Sequence, residues 1–413
     1  MQISFGMRWN PRSVQCRCDR ENDPHWHCAK SHDKDLKEEF MPLRRTPLFD
    51  WHTAHGGRMV EFGGWEMPVQ YTGIVEEHHT VRKEVGLFDI SHMGRLAFEG
   101  TEASRLLDHL LTCRVDNLGD GQIRYGLVCN DAGGILDDVL VNRIDATHYG
   151  LVVNASNREK IVAWIQERIP EIVPQGKSAD LKFVDQTFET GMIAIQGPKA
   201  LTLINQRAGT DLSNMKYYTG RPILIDGINT FVSRTGYTGE DGFELIVPAA
   251  TTTQFWEAFI SAGQAVSIKP CGLGCRDTLR LEAAMPLYGH ELSEDIDPLT
   301  AGLGLSVKLE KPDFIGRSSL AKIAELANRP VRVGLRLGSR RIAREHTEVY
   351  VDSTRIGEVT SGTFSPTLEH SIAMAYVARS HSKPGTAVEV DIRGKREAAE
   401  VVPLPFYKRS KPA

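Results

Sequence analysis

The chain has 413 residues, 41% hydrophobic and 25% charged, with a formal net charge of −4. A pI near 6.4 excludes nucleic acid as the main partner, because phosphate binding leaves a basic footprint. No apolar run reaches membrane-spanning length, so the composition reads as a soluble, membrane-free protein with room for two or three cores.

Residues 1–41 stand apart. They carry Cys16, Cys18, Cys28, His25, His27 and His32 amid charges, with no helical or strand period. Cys-x-Cys followed by His-x-His-Cys does not match paired zinc-ligand spacing, so no metal is assigned. No apolar segment marks a signal peptide, and the acidic run Asp33 to Glu39 does not fit a transit peptide. The segment reads as a disordered leader, or as an over-extended start with Met41 as initiator. Four of the seven cysteines (Cys113, Cys129, Cys271, Cys275) are scattered beyond it, which implies free thiols in a reducing compartment.

From Leu43 the sequence is dense and patterned. A surface helix is expected over Gly73–Glu84 and a strand over Arg95–Phe98. Thr101 is placed to cap a helix over Glu102–Leu111, whose leucines form a stripe. Three strands follow at Arg124–Cys129, Ile135–Asn142 and Tyr149–Val153, with a hairpin turn at Asn130 to Gly134. Asn154 to Ser156 leads into a helix over Arg158–Arg168. A second block holds a strand at Met192–Ile195, a helix at Pro198–Arg207 and a hairpin within Pro222–Ser233. The Gly-rich turn Thr235 to Gly242 precedes a strand at Phe243–Val247. Thr252–Ala262 and Gly274–Ala284 are helical. Beyond Pro330, strands at Val331–Leu337, Ile356–Val359, Ile372–Val377, Ala387–Ile392 and Glu397–Val402 imply a small β-barrel. Interspersed strands and helices with short turns give an α+β class.

Asp137 and Asp138 lie side by side in the apolar run Ile135 to Val141. Alternation puts their carboxylates on opposite sheet faces, and neither has a polar neighbour on its own strand. A charge on an apolar face is costly unless it is paired, hydrogen-bonded or assigned to a ligand. Glu244 repeats the anomaly on the strand Phe243 to Val247. A carboxylate accepts two parallel hydrogen bonds from a planar amidine-like edge such as a pterin's, or else pairs with a buried arginine. Arg276 and Arg280 share a helix face, with Arg280 suited to an intrahelical salt bridge. Tyr125, Tyr217, Tyr218 and Tyr237 are phenols able to stack on a flat ring. His92 reads as a structural hydrogen-bonder. Dinucleotide, phosphate-loop and zinc-protease signatures are missing.

Thr46 to Asp50 with His52, Phe62 to Tyr71, Leu87 to Gly94, Gly133 to Leu140, Arg234 to Glu244 and Arg276 to Gly289 occur in serial order. Together they resemble the glycine cleavage system T-protein family, the aminomethyltransferases, from about residue 42 to 409. The resemblance implies a three-domain, clover-like arrangement around a folate tunnel. Two α/β folate-binding subdomains would fill 42–325, and a C-terminal β-barrel 326–413. It implies that an aminomethyl carbon passes from the lipoyl arm of H-protein to tetrahydrofolate, without metal or flavin. The products would be 5,10-methylenetetrahydrofolate, ammonia and dihydrolipoyl H-protein, in functional association with the P- and L-proteins. By position, Asp138 corresponds to the catalytic aspartate, with Asp137 a structural neighbour. Glu244 corresponds to the pterin anchor, Arg276 to a folate contact, and Tyr125, Tyr218 and Tyr237 to tunnel rings. Met93 and Asn154 match folate positions, and Arg409 matches an arginine near the lipoyl arm. The location implied is the cytoplasm of a bacterium or the mitochondrial matrix of a eukaryote. Two similar groups compete. Sarcosine or dimethylglycine oxidases add a flavin fingerprint that this chain lacks. Non-catalytic folate-binding relatives carry a Lys-Gly-Cys-Tyr-x-Gln-Glu-like segment where this chain has Gly236 to Asp241.

Overall fold

The computed structural model describes residues 42–173 and 180–409. The expectations for residues 1–41 lie outside them. Three sheets and a barrel follow one another. The first sheet, Arg44–Arg45 against Trp65–Gln70 against Arg58–Phe62, was not expected as strands. Its hairpin turns on Gly63 and Gly64, at φ 56° and 83°, a left-handed pair that glycine adopts without a Cβ penalty.

The second sheet has five antiparallel strands, in the order Ile123–Cys129, Ile135–Arg143, His148–Val153, Gly94–Glu99 and Lys182–Asp185. The helices Ala103–Leu110 and Arg158–Ile172 cover one face. Leu106, Leu107, Leu110, Ile161 and Ile165 pack there on Val139, Val141, Leu151 and Val153. The third sheet has six strands, in the order Gly220–Ile225, Ile228–Ser233, Gly242–Pro248, Thr190–Gln196, Gly86–Asp89 and Lys269–Pro270. Helices Ala200–Ala208 and Thr252–Ala262 cover it, burying Leu203, Ile204, Phe255, Trp256 and Phe259 on Phe243, Leu245 and Val247. The second face of the five-stranded sheet carries neither of these helices, while that of the six-stranded sheet also takes Val81 from the helix Ile74–Lys83 and Cys275 and Leu279 from the helix Leu273–Glu282. Those two faces meet, because Leu140 and Val152 share one cluster with Ala194, Ile246 and Met93.

The barrel closes six strands in the order Val331–Leu337, Ser371–Val377, Thr354–Phe364, Glu348–Val351, Ala387–Asp391 and Arg396–Val402. One more strand is present than expected. Glu348–Val351 is four residues long, too short to show a period. Leu335, Val349, Val359, Ala375, Val390 and Val401 fill the interior.

Thr101 does not cap its helix. The helix begins at Ala103 after Glu102, without a side-chain capping bond, and the Ala103 amide is met by Gly100 O at 3.2 Å. The reinforced end is the C-terminal one. There the buried Lys311 Nζ donates to the carbonyls of Leu111 and Cys113, each at 2.8 Å, and to that of Asp108. A cation among terminal carbonyls satisfies acceptors that the helix leaves open.

A second tie binds the barrel to the helix Leu273–Glu282. Arg82 donates to Glu282 Oε2 at 2.8 Å and to Glu240 Oε1 at 2.9 Å. Glu282 also accepts from Ser365 and from the Thr367 amide. Burial acts to raise the Glu282 carboxyl, but His78, Arg82 and Ser365 together pull it down to about 2. Among the described residues no helix is long and apolar enough to cross a membrane.

Candidate active site

The adjacent aspartates are satisfied by neighbouring strands rather than by their own. Register pairs Tyr125 with Leu140 and Leu127 with Asp138, so Tyr125 is diagonal to Asp138 on the same face. Its hydroxyl donates to Asp138 Oδ2 at 3.0 Å. On the other side Leu140 pairs with Val152, which brings Asn154, just past the strand end, level with Asp138. Asn154 Nδ2 donates to Asp138 Oδ1 at 2.7 Å and to Asp137 Oδ1 at 2.8 Å. Asp137 accepts two further bonds, from the Asn154 amide at 3.0 Å and from Asn157 Nδ2 at 2.7 Å.

The alternation read from the sequence holds. Asp137 is fully buried on the helix-covered face, and Asp138 is half-buried on the face shared with Leu140. Burial, and then the charge of Asp138, push the Asp137 carboxyl up to about 7. Burial also raises Asp138, against the opposing hydrogen bonds of Tyr125 and Asn154.

Glu244 stands on the face of the six-stranded sheet that meets the other sheet, opposite Ala194 and Ser233 in register. Its partner is a hydroxyl and not an arginine. Thr235 Oγ1 donates to Glu244 Oε2, and Ser233 Oγ holds Thr235 Oγ1 at 2.8 Å. Burial raises the Glu244 carboxyl while Thr235 and the charge of Arg276 lower it. Arg276 lies over the Tyr237 ring, 4.6 Å from its centroid. Burial lowers its pKa, and the charges of Tyr237 and Glu244 oppose that shift. Tyr237 donates its hydroxyl to Pro286 O and is raised by burial, with the charges of both Asp138 and Arg276 acting on it. Arg276 and Tyr237 thus connect the Glu244 strand electrostatically to the Asp138 strand.

Met93 packs between the sheets with Leu140 and Ile246. Tyr218, 42% exposed, is held at φ 56° by backbone bonds to Arg234 O and from the Ile123 amide, a conformation that a non-glycine residue keeps only under surrounding constraint. A cavity of about 600 Å³ opens at Tyr125 and Tyr218, bordered by Arg114, Arg124, Lys308 and Leu305. A larger cavity of about 950 Å³, at Thr101, Arg105, Asp108, Arg168 and Asp313, holds none of these residues. Arg409 contacts Tyr217 Oη at 3.2 Å and Asp241 at 3.7 Å, outside the Asp138–Glu244 cluster.

Two expectations change. His92 is not a structural hydrogen-bonder, since it is 1% exposed and its Nδ1 has no partner. It sits edge-on to Phe62 and is driven down to about 3 by burial and by the charge of Arg276. Arg280 does pair with Asp277 at 2.8 Å within its helix, but it also reaches Glu291 at 2.8 Å and Ser361 at 2.9 Å. That network leaves the helix for the barrel. Thr235 and Asn157 were missed altogether. Each meets its carboxylate only through the fold, although the hydroxyl run Ser233 to Thr235 was a usable signal. Four described cysteines are free and buried. Cys271 and Cys275 lie with Glu77 in a group whose ligand-type atoms are within 4.8 Å of one another. The Glu77 carboxylate is already committed, accepting amides of Tyr71 at 2.6 Å, Thr72 at 3.1 Å and Gly272 at 2.8 Å.

Residues 48–311 match the GCVT N-terminal domain family, and residues 331–408 match the glycine cleavage T-protein C-terminal barrel domain. The chain belongs to the glycine cleavage T-protein family. It is an aminomethyltransferase, as its relatives also indicate. The aminomethyltransferase of Symbiobacterium thermophilum is 46% identical over 370 residues, covering 89% of this chain and 98% of that protein. That of Saccharopolyspora erythraea is 45% identical over 369 residues, covering 89% and 99%. Among solved structures, the glycine cleavage system aminomethyltransferase T from Bartonella henselae superposes with a TM-score of 0.82 at 33% identity. The match covers 89% of this chain and 98% of that one.

Proposed function

We propose that this T-protein family member moves the aminomethyl carbon from the lipoyl arm of H-protein to tetrahydrofolate, in glycine catabolism and one-carbon metabolism. The products are 5,10-methylenetetrahydrofolate, ammonia and dihydrolipoyl H-protein. The observation that carries the reading is the meeting of two sheet faces, one presenting Asp138 and the other Glu244, with Arg276 and Tyr237 between them. On this reading residues 42–325 form the folate-binding region and 326–413 the barrel. The chain works in a bacterial cytoplasm beside the P- and L-proteins.

The residues present fit a folate. Glu244 has one oxygen held by Thr235, which leaves the other to accept from a pterin's amidine-like edge. Tyr237, backed by the Arg276 guanidinium, offers a flat face to a ring. Met93 and Leu140 supply apolar surface beside it. When bound, folate supplies the nucleophilic nitrogen. The protein's main contribution is to hold that nitrogen against the carrier's electrophilic methylene carbon, which proximity converts into rate. Asp138, oriented by Tyr125 and Asn154, stabilises positive charge developing at the folate nitrogens and receives a proton from them.

The test is ammonia release from aminomethylated lipoyl protein, with and without tetrahydrofolate. Folate-stimulated release supports the reading. Folate binding with no such release would make the chain a folate-binding module instead.

A further inference from the structure

Asn154 carries two amide protons and places them between two carboxyl groups, at 2.8 Å from Asp137 Oδ1 and 2.7 Å from Asp138 Oδ1. One amide therefore sets the position of both acids, although they lie on opposite faces of the strand. Their surroundings are unequal. Asp137 is 0% exposed; its three donors (Asn154 Nδ2, the Asn154 amide and Asn157 Nδ2) are all neutral and favour its ionised form, but burial outweighs them. Asp138 is half-buried on the face it shares with Leu140 and takes a phenol donor.

The charged and titratable groups around the pair are few. Tyr288 lies within electrostatic reach of Asp137, with Lys160 and Glu294 behind it. Tyr125 and Tyr237 face Asp138, with Arg332 acting on Tyr125, and Arg276 and Arg280 on Tyr237. No lysine or arginine forms an ion pair with either aspartate among the described residues. Two like charges sharing one donor without a cation cannot both ionise freely, so the two carboxyls titrate as a coupled pair. Desolvation is harsher for the deeper member, which is the member that keeps a proton.

We propose that Asp137 is the positioning partner of Asp138: through the shared Asn154 amide the two acids hold one proton between them, on Asp137, so that Asp138 stays ionised on the face it shares with Leu140. The direction of the Asp137 shift, upward to about 7 through burial and Asp138, agrees with this. The proposal rests on Asp138 being the reacting carboxylate, and it gives the acid behind it a task that a purely structural aspartate would not have.

Infrared difference spectroscopy of the full chain without substrates reads the proton directly. The expected result is a protonated-carboxyl band in the wild type that disappears as pH rises through about 7. The band should be missing from Asp137→Asn. In Asp138→Asn it should move to lower pH by about one unit or more, because the neighbouring charge is gone. No protonated carboxyl near pH 6 in the wild type, or a band that survives in Asp137→Asn, would overturn the proposal.

The kinetic counterpart is the pH profile of kcat for aminomethyl transfer. An inflection near neutrality should be present in the wild type and absent from Asp137→Asn. The same inflection in both proteins would also overturn the proposal. If Asp137→Asn does not fold, the wild-type band and its shift in Asp138→Asn decide alone. A wild-type protein with no transfer activity would remove the functional reading, while the infrared titration would still report the pair.

Discussion

The strands Ile135–Arg143 and Gly242–Pro248 pose the same problem and solve it differently. Each belongs to a sheet covered by two helices on one face, and each places a carboxylate on the other face. Asp138 is enclosed by an amide and a phenol and stands back to back with a second acid. Glu244 has one hydroxyl partner and a guanidinium within electrostatic reach. Burial raises both carboxyls, so the difference lies in their partners: the one tied up by two protein donors is arranged to exchange a proton, and the one with a spare oxygen near a cation to accept a ligand's hydrogen bonds. Similar strands in similar layers thus divide into a reacting group and an anchoring group.

The largest test of that division is Asp138→Asn. It should lower aminomethyl transfer by about 10²–10⁴-fold, the usual range for a positioned acid–base group. Folate affinity, measured by calorimetric titration, should change little. Near-wild-type turnover would end the assignment. The converse is Glu244→Gln. It should weaken folate binding by about 10–100-fold, matching the loss of a hydrogen bond to a charged group, while turnover at saturating folate is mostly kept. If Glu244→Gln instead lowered kcat with Kd intact, the two roles would be reversed.

Stability against pH separates the strands in another way. Asp137 is raised in the folded state to about 7, well above an unfolded aspartate near 3.9. Its contribution is therefore fully present below about pH 4 and is lost as pH rises through about 7. Denaturant titrations should show the wild type losing up to about 4 kcal/mol more than Asp137→Asn over that window. The slope is the readout, since the substitution also disturbs the bond from the Asn154 amide. Glu282, pulled down to about 2, works in the opposite sense. Its share is present above about pH 4.5 and fades as pH falls through about 2, so the two windows meet only near pH 4–4.5. Identical slopes in wild type and Asp137→Asn would show that Asp137 is not the titrating group.

The smallest effect expected is that of Thr235→Val. Removing the hydroxyl from Glu244 should raise that carboxyl's pKa and weaken folate binding by only about 3–10-fold, one neutral hydrogen bond's worth. A loss as large as that of Glu244→Gln would mean that Thr235, and not the carboxylate's charge, carries the anchor.

Much of this was legible in the sequence. The periods marked the helix Thr252–Ala262 to the residue, and the turn Asn130 to Gly134 with Gly133 at φ 90° marked its hairpin. Alternation alone separated the faces of Asp137 and Asp138. Strands without a period escaped notice, namely Gly86–Asp89 and Lys182–Asp185, each four residues long. Trp65–Gln70 and most of Gly86–Asp89 were read only within family motifs, and Arg58–Phe62 only at Phe62.

What the sequence determined by itself were local quantities: most of the strands long enough to show a period, which carboxylates were anomalous, and which serial motifs pointed to the T-protein family. A period or a motif acts over a few residues and needs no fold to be seen. What only the tertiary structure decided was partnership. Asn154 reaches two acids because β-register brings it level with Asp138, and Thr235 reaches Glu244 across nine positions of chain. Lys311 finds the end of a helix about 200 residues away. Hydrogen bonds and charges act through space at a few ångströms, and separation along the chain does not encode that distance until the sheets have formed.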